Sequence, residues 1–203
     1  FETELGILDY WAGDWDAADE AFGRLDAWIA SVGPHYMEAA AHGCRAKLRS
    51  ARGDIVSGRA DIEGALEFAR RSREPQSLLP TLADAAVIAA MSGGHDAPQR
   101  VEELFEEAVA AIEHDISGAS SWLAEFALAL ALTGRAGRFS AMQRIEGPWR
   151  WLSTARLVAD GRYAEAADEL GAIGARPEEA LARLLTARGL IGGGDRASGE
   201  AEL

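Results

Sequence analysis

An all-α fold built from about six stacked pairs of antiparallel helices is predicted for this chain, and three observations predict it. Apolar residues recur at spacings of three and four, and no run alternates apolar and polar residues with β-branched enrichment. Residue usage leans on Ala, Leu, Arg and Glu, the strong helix formers. The periodic stretches break at Gly33-Pro34, Gly93-Gly94, Gly147-Pro148 and Gly192-Gly193-Gly194, as helix ends should.

Element by element, the periodicity predicts helices over Glu2–Ala12, Trp15–Ser31, Tyr36–Ala51, Ile55–Arg73, Ser77–Met91, Ala97–His114, Ser120–Thr133, Phe139–Ile145, Trp149–Ala159, Tyr163–Ala172 and Pro177–Ile191, then a short terminal piece. Pro80 is placed in the first turn of its helix, where a missing N–H costs little. With 203 residues and 48% hydrophobic content, positions 1–203 form one domain able to bury roughly 70% of its unfolded surface.

A breaker recurs along the chain. Gly13-Asp14-Trp15, Gly53-Asp54-Ile55, Gly137-Arg138-Phe139 and Gly161-Arg162-Tyr163 each put a glycine at a helix end, then a polar residue, then a large apolar residue opening the next helix. Gly194-Asp195-Arg196 is a weaker fifth copy. Three positions past the apolar residue come Ala18, Gly58, Met142 and Ala166, and four further on Phe22, Ile62, Glu146 and Leu170. A small residue lets the partner helix approach, and large ones fill the space between successive pairs. The copies are unevenly spaced: 40 residues from Trp15 to Ile55, 84 to Phe139, and 24 to Tyr163. The longest gap holds one more pair, Ser77–Met91 with Ala97–His114. One pair cannot hide its apolar face, so pairs must stack.

These residues resemble the tetratricopeptide-repeat (TPR) family. Leu5-Gly6, Gly13-Asp14-Trp15, Ala18, Phe22 and Leu25 match its pattern, and Gly161, Tyr163, Ala166, Leu170 and Ile173 match it again. In the second pair Arg45, Arg49 and Gly58 stand where smaller or apolar residues are expected. The resemblance implies a TPR-like α-solenoid forming a right-handed superhelix. The stretch from Gly161-Arg162-Tyr163 to Leu203 is similar to the C-terminal helical region of large actinobacterial signalling proteins. Those carry an ATPase module, often with an adenylate or guanylate cyclase or a LuxR-type DNA-binding domain.

Composition bounds the chemistry. The net charge of −13 argues against nucleic acid or an anionic membrane as the main partner. The single cysteine, Cys44, makes no internal disulfide, and no apolar run approaches the ~18 residues a membrane span needs. A cytoplasmic location is expected, as is a longer parent protein, because the chain opens on Phe1 without a leader. No Gly-Lys pair offers a phosphate loop, and the histidines His35, His42, His95 and His114 have no metal-ligand spacing with Cys44. No cofactor or metal is expected.

The acidic knot of Asp14, Asp16, Asp19 and Glu20 reads as a helix start, and the Glu102–Glu107 cluster as a solvated face. Arg45, Arg49 and Arg52 form a basic stripe beside the apolar stripe Met37, Ala41, Cys44 and Leu48. It serves neighbouring carboxylates or an external carboxylate. Of Trp149 and Trp151, two apart, one is expected in the core and the other partly exposed.

The functional expectation is a non-catalytic scaffold. By the resemblance, Tyr10, Trp11, Lys47, Trp151 and Arg188 line a concave groove that takes a protein or peptide segment, or another domain of the parent chain. Lys47, the only lysine, and Arg188 would favour an acidic or carboxylate ligand. The alternatives are a small-molecule effector sensor and a self-association module. An enzyme has least support, since no nucleophile–base or acid pair is identifiable.

Overall fold

The structure, a computed structural model, describes residues 2–33, 37–112 and 120–203. Among them are eleven α-helices and one 3-10 helix, and no strand. The helices are α1 (Glu2–Ala12), α2 (Trp15–Val32), α3 (Glu38–Ala51), α4 (Ile55–Ser72), α5 (Pro75–Ser92), α6 (Ala97–Ile112) and α7 (Trp122–Leu132). The 3-10 helix (Ala136–Met142) follows, then α8 (Arg150–Ala159), α9 (Tyr163–Ile173), α10 (Arg176–Gly192) and α11 (Arg196–Ala201). The predicted helix start at Tyr36 and helix end at His114 lie outside the described residues.

Consecutive elements pack as pairs: α1 with α2, α3 with α4, α5 with α6, α7 with the 3-10 helix, α8 with α9, and α10 with α11. The first members of neighbouring pairs also pack, α1 on α3, α3 on α5, α5 on α7 and α7 on α8. At the end of the chain α10 touches both α7 and α1. The first helices therefore meet around a filled interior.

The breaker has one geometry in five places. At Gly13, Gly53, Gly134, Gly161 and Gly194 the backbone is left-handed, with φ between +74° and +93°. Each glycine N–H donates to the carbonyl three residues back, and the next N–H to the carbonyl five back, which closes the preceding helix. The polar residue then opens the next helix. Asp14, Asp54 and Asp195 accept from the N–H of Ala17, Ser57 and Ser198 at 3.4, 3.2 and 3.1 Å. So Gly-Asp is two caps in succession.

The third copy sits three residues earlier than predicted. Gly134-Arg135 makes the turn, while Gly137 lies in the 3-10 helix with Phe139 buried behind it. The chain carries two Gly-Arg pairs in tandem, and α7 ends at the first one it reaches. The α-helix predicted over Phe139–Ile145 is accordingly a 3-10 helix over Ala136–Met142. Pro80 is not in a first turn, because α5 already begins at Pro75. The proline lies inside the helix, and next to it the Thr81 hydroxyl donates to the Ser77 carbonyl at 2.7 Å.

Gly58, which looked like a departure from the pattern, fills the small-residue position. Ala18, Gly58, Ala166 and Gly199 are all buried at helix crossings. A Cβ on Gly58 would sit 2.9 Å from the Ala46 carbonyl oxygen of α3. Phe22, Ile62 and Leu170, four residues past three of these positions, are buried as expected.

Two apolar cores result. A smaller one joins α1, α2 and one face of α3 through Tyr10, Phe22, Leu25, Cys44 and Leu48. The larger runs from α3 to α10 around Phe105, Phe126 and Phe139, with Phe126 set edge-on to Phe105 at 5.5 Å. Helix α7 is apolar on every side except for Glu125, and it is buried from Trp122 to Ala131.

Gly58→Ala, which pushes α3 from α4, is expected to cost about 1–3 kcal/mol in urea denaturation. Gly64→Ala on the same helix, where a Cβ meets nothing within 4 Å, is expected to be neutral or to stabilise by up to about 1 kcal/mol.

Candidate functional site

The centre of charge chemistry lies inside the molecule, between the two cores. On α3 Lys47 stands three residues after Cys44, so its side chain leaves the helix on the apolar face rather than the arginine face. Asp84 is the only charged residue of α5, and Glu125 the only one of α7. Glu178 lies in the first turn of α10, where the helix dipole favours a carboxylate. Packing α3, α5, α7 and α10 together brings all four side chains to one point.

Lys47 Nζ lies 2.6 Å from Asp84 Oδ1, 2.5 Å from Glu125 Oε1 and 3.7 Å from Glu178 Oε1. The ammonium also stands 5.0 Å from the centre of the Tyr10 ring on α1. None of these five residues is more than 4% exposed. A Cβ on Gly43 would overlap the Asp84 carboxylate, so this glycine makes room for it. Glu178 has the loosest hold: its contact to Lys47 is beyond hydrogen-bond range, and its buried Oε2 has no hydrogen-bond partner.

Three carboxylates against one ammonium would leave two negative charges in the interior. Burial penalises the ionised form, and it raises the Asp84 and Glu178 carboxyls to about 7 even though Lys47 pulls them down. With both protonated, the buried carboxylates no longer outnumber the Lys47 ammonium. Burial by itself would lower the Lys47 ammonium, but Asp84 and Glu125 more than reverse this and hold it well above its ordinary value. Burial raises the Tyr10 hydroxyl and the Cys44 thiol, so both stay protonated at neutral pH.

The opposite face of α3 carries a second network. Arg45 bonds Asp61 through Nε and Nη2 at 3.0 and 2.9 Å and also meets Asp26. His42 joins Asp26 at 2.9 Å, Arg49 reaches Asp61 at 2.8 Å, and Arg52 reaches Asp16 at 2.5 Å. The arginine stripe thus ties α3 to α2 and α4. Burial works to raise the Asp26 carboxyl, but Arg45 and His42 hold it below its usual range.

The Glu102–Glu107 face of α6, read as solvated, bridges to its neighbours: Glu102 meets Arg135 and Arg138, and Glu107 meets Arg70. No group of metal-ligating side chains occurs among the described residues. His35 and His114 lie outside them.

The five residues expected in a groove separate into two sets. Lys47 and Tyr10 are interior, and the acids expected of a ligand come instead from α5, α7 and α10. Lys47 therefore does not line an open groove: a lone lysine on the apolar stripe is enclosed when α5 and α7 pack over it. Trp11 and Trp151 meet with ring centres 5.7 Å apart, both partly exposed, joining α1 to α8. Trp149 is also half-buried, so neither tryptophan of the 149/151 pair is a full core residue. Arg188 is exposed, ten residues and so about 15 Å along α10 from Glu178.

Sequence reasoning passed over Asp84, Glu125 and Glu178. A signal existed for the first two: each is the one charged residue of a largely apolar helix, and a buried acid needs a cation.

Lys47→Met leaves three buried carboxyls without their cation. At pH 7.5 it is expected to cost about 3–5 kcal/mol of stability in urea titrations. The loss should shrink at pH 5, where Asp84 and Glu178 hold their protons. No family model, curated protein or solved structure matches the chain.

Proposed function

We propose that this chain is a TPR-like α-solenoid, a non-catalytic scaffold that binds a protein segment or another domain of its parent chain within a signalling or transcription regulator. The observation that supports binding is the Trp11–Trp151 pair. Two large aromatic side chains from separate hairpins, one on α1 and one on α8, meet and both keep part of their surface open. Half-buried tryptophans of this kind concentrate binding energy in protein interfaces. The right-handed superhelix belongs to this same reading. Its support is the turn repeated at five glycines, each followed by a buried residue at the same distance. Arg188 adds a cation farther along α10 for an acidic segment.

A second reading, effector sensing, is favoured by a cleft of about 480 Å³ between α4, α5 and α6. Ile62 and Ile88 line it, with Arg59 and Arg100 beside them. That volume suits a small ligand. A saturable melting shift with a low-molecular-weight compound, abolished by Ile88→Trp, would favour it over protein binding.

Trp151→Ala combined with Arg188→Glu is the direct test, after circular dichroism has established an unchanged fold. Proteins captured quantitatively by the original chain should fall at least tenfold with the variant, in keeping with about 2 kcal/mol for a tryptophan anchor. Equal recovery of every protein by both chains would remove these residues from any binding surface.

A further inference from the structure

Helix α10 is held to the N-terminal half of the molecule by few means. It packs mainly on its neighbours α9 and α11, and reaches the rest of the fold through α7 and α1. Among the described residues its one buried charged link across this junction is Glu178, whose carboxyl faces Lys47 of α3, Asp84 of α5, Glu125 of α7 and Tyr10 of α1, with Cys44 of α3 close by. The Glu178 carboxyl is the misfit of the group. Lys47 already has tight partners in Asp84 and Glu125, and the 3.7 Å separation leaves Glu178 without a hydrogen bond from it. As a neutral acid Glu178 fits here, and its unpartnered Oε2 can carry the proton. As an anion it adds to the carboxylates already present, in a space that holds no second cation among the described residues.

We propose that this cluster is a proton-dependent clasp, closing α10 onto α1, α3, α5 and α7 while Glu178 and Asp84 are protonated and letting the C-terminal helices swing away as those protons leave. The moving part is α9 to α11, which pack on one another more than on the rest. The opening uncovers the Lys47 cluster and the faces of α1 and α7 on which α10 packs. The clasp rests on the geometry of the cluster and holds whether or not the molecule binds a protein.

The sign follows from linkage. Both acids release protons more readily when solvated in the open state, near 4, than in the closed state, near 7. Closure is therefore firmest in acid and weakens as pH rises from about 4 through about 7, then levels off. Each proton released makes opening up to about tenfold more frequent per pH unit within that window.

Amide hydrogen exchange of the 203-residue chain, corrected for intrinsic rates, reads the clasp directly. Between pH 5 and 7.5 protection in α10 and α11 should fall by at least tenfold, while α5 and α7 keep theirs. Glu178→Gln, which mimics the neutral acid, should roughly halve the slope of log protection against pH. Adding Asp84→Asn should flatten it. If either variant fails to fold, the wild-type profile still decides, through the difference between α10 and α5. A flat wild-type profile overturns the clasp. So does a fall shared equally by α5, α7 and α10, or a slope that both variants leave unchanged.

Discussion

One ammonium group shared among buried carboxylates organises this molecule. Lys47 lies where the small core of α1–α3 meets the large core of α3–α10, and its contacts reach α5, α7 and α10 together with the Tyr10 ring of α1. Apolar packing is tolerant of small slips between helices, because any close fit of side chains will serve. A buried charge is not tolerant. It must find its counterion within hydrogen-bond range or bear a desolvation penalty of several kcal/mol. Helices α3, α5 and α7 are thus set relative to one another by a single side chain, at the place where the two cores meet.

Helix α3 carries this burden on both faces. Its apolar side presents Lys47 inward, and its other side presents Arg45, Arg49 and Arg52 to Asp61, Asp26 and Asp16. The exposed members of the second network contribute little each, since water screens them. Arg45 differs, because it is buried and holds Asp61 with two parallel hydrogen bonds. Around α3 the hairpins are spaced by a simpler device. A left-handed glycine closes each first helix and a buried residue on the second accepts the crossing, which at Gly58 leaves no room even for a methyl group.

Much of the fold was legible because it is local. Helix periodicity, the glycine that ends a helix and the aspartate that caps the next one act within a few residues of chain, and nearly every predicted helix appears with ends shifted by one or two positions. The errors have local causes too. Tandem Gly-Arg pairs made two registers equally readable at 134 and 137, and a proline start at 75 moved Pro80 from the first turn into the helix interior. The interior site was legible only in part. Asp84 and Glu125 betray themselves as lone acids in apolar helices, but Glu178 sits beside Glu179 at an ordinary helix start and carries no such mark.

The sequence by itself determined the all-helical class, the succession of hairpins, and the need of two apolar helices for a cation. Only the tertiary structure decided which cation, and that a third acid would join it from a helix 131 positions farther along the chain from Lys47 to Glu178. The reason is physical. Caps and periodicity are set by bonds between near neighbours. Which side chains meet across the interior depends on the stacking of every hairpin between them, and on the return of α10 to touch α7 and α1.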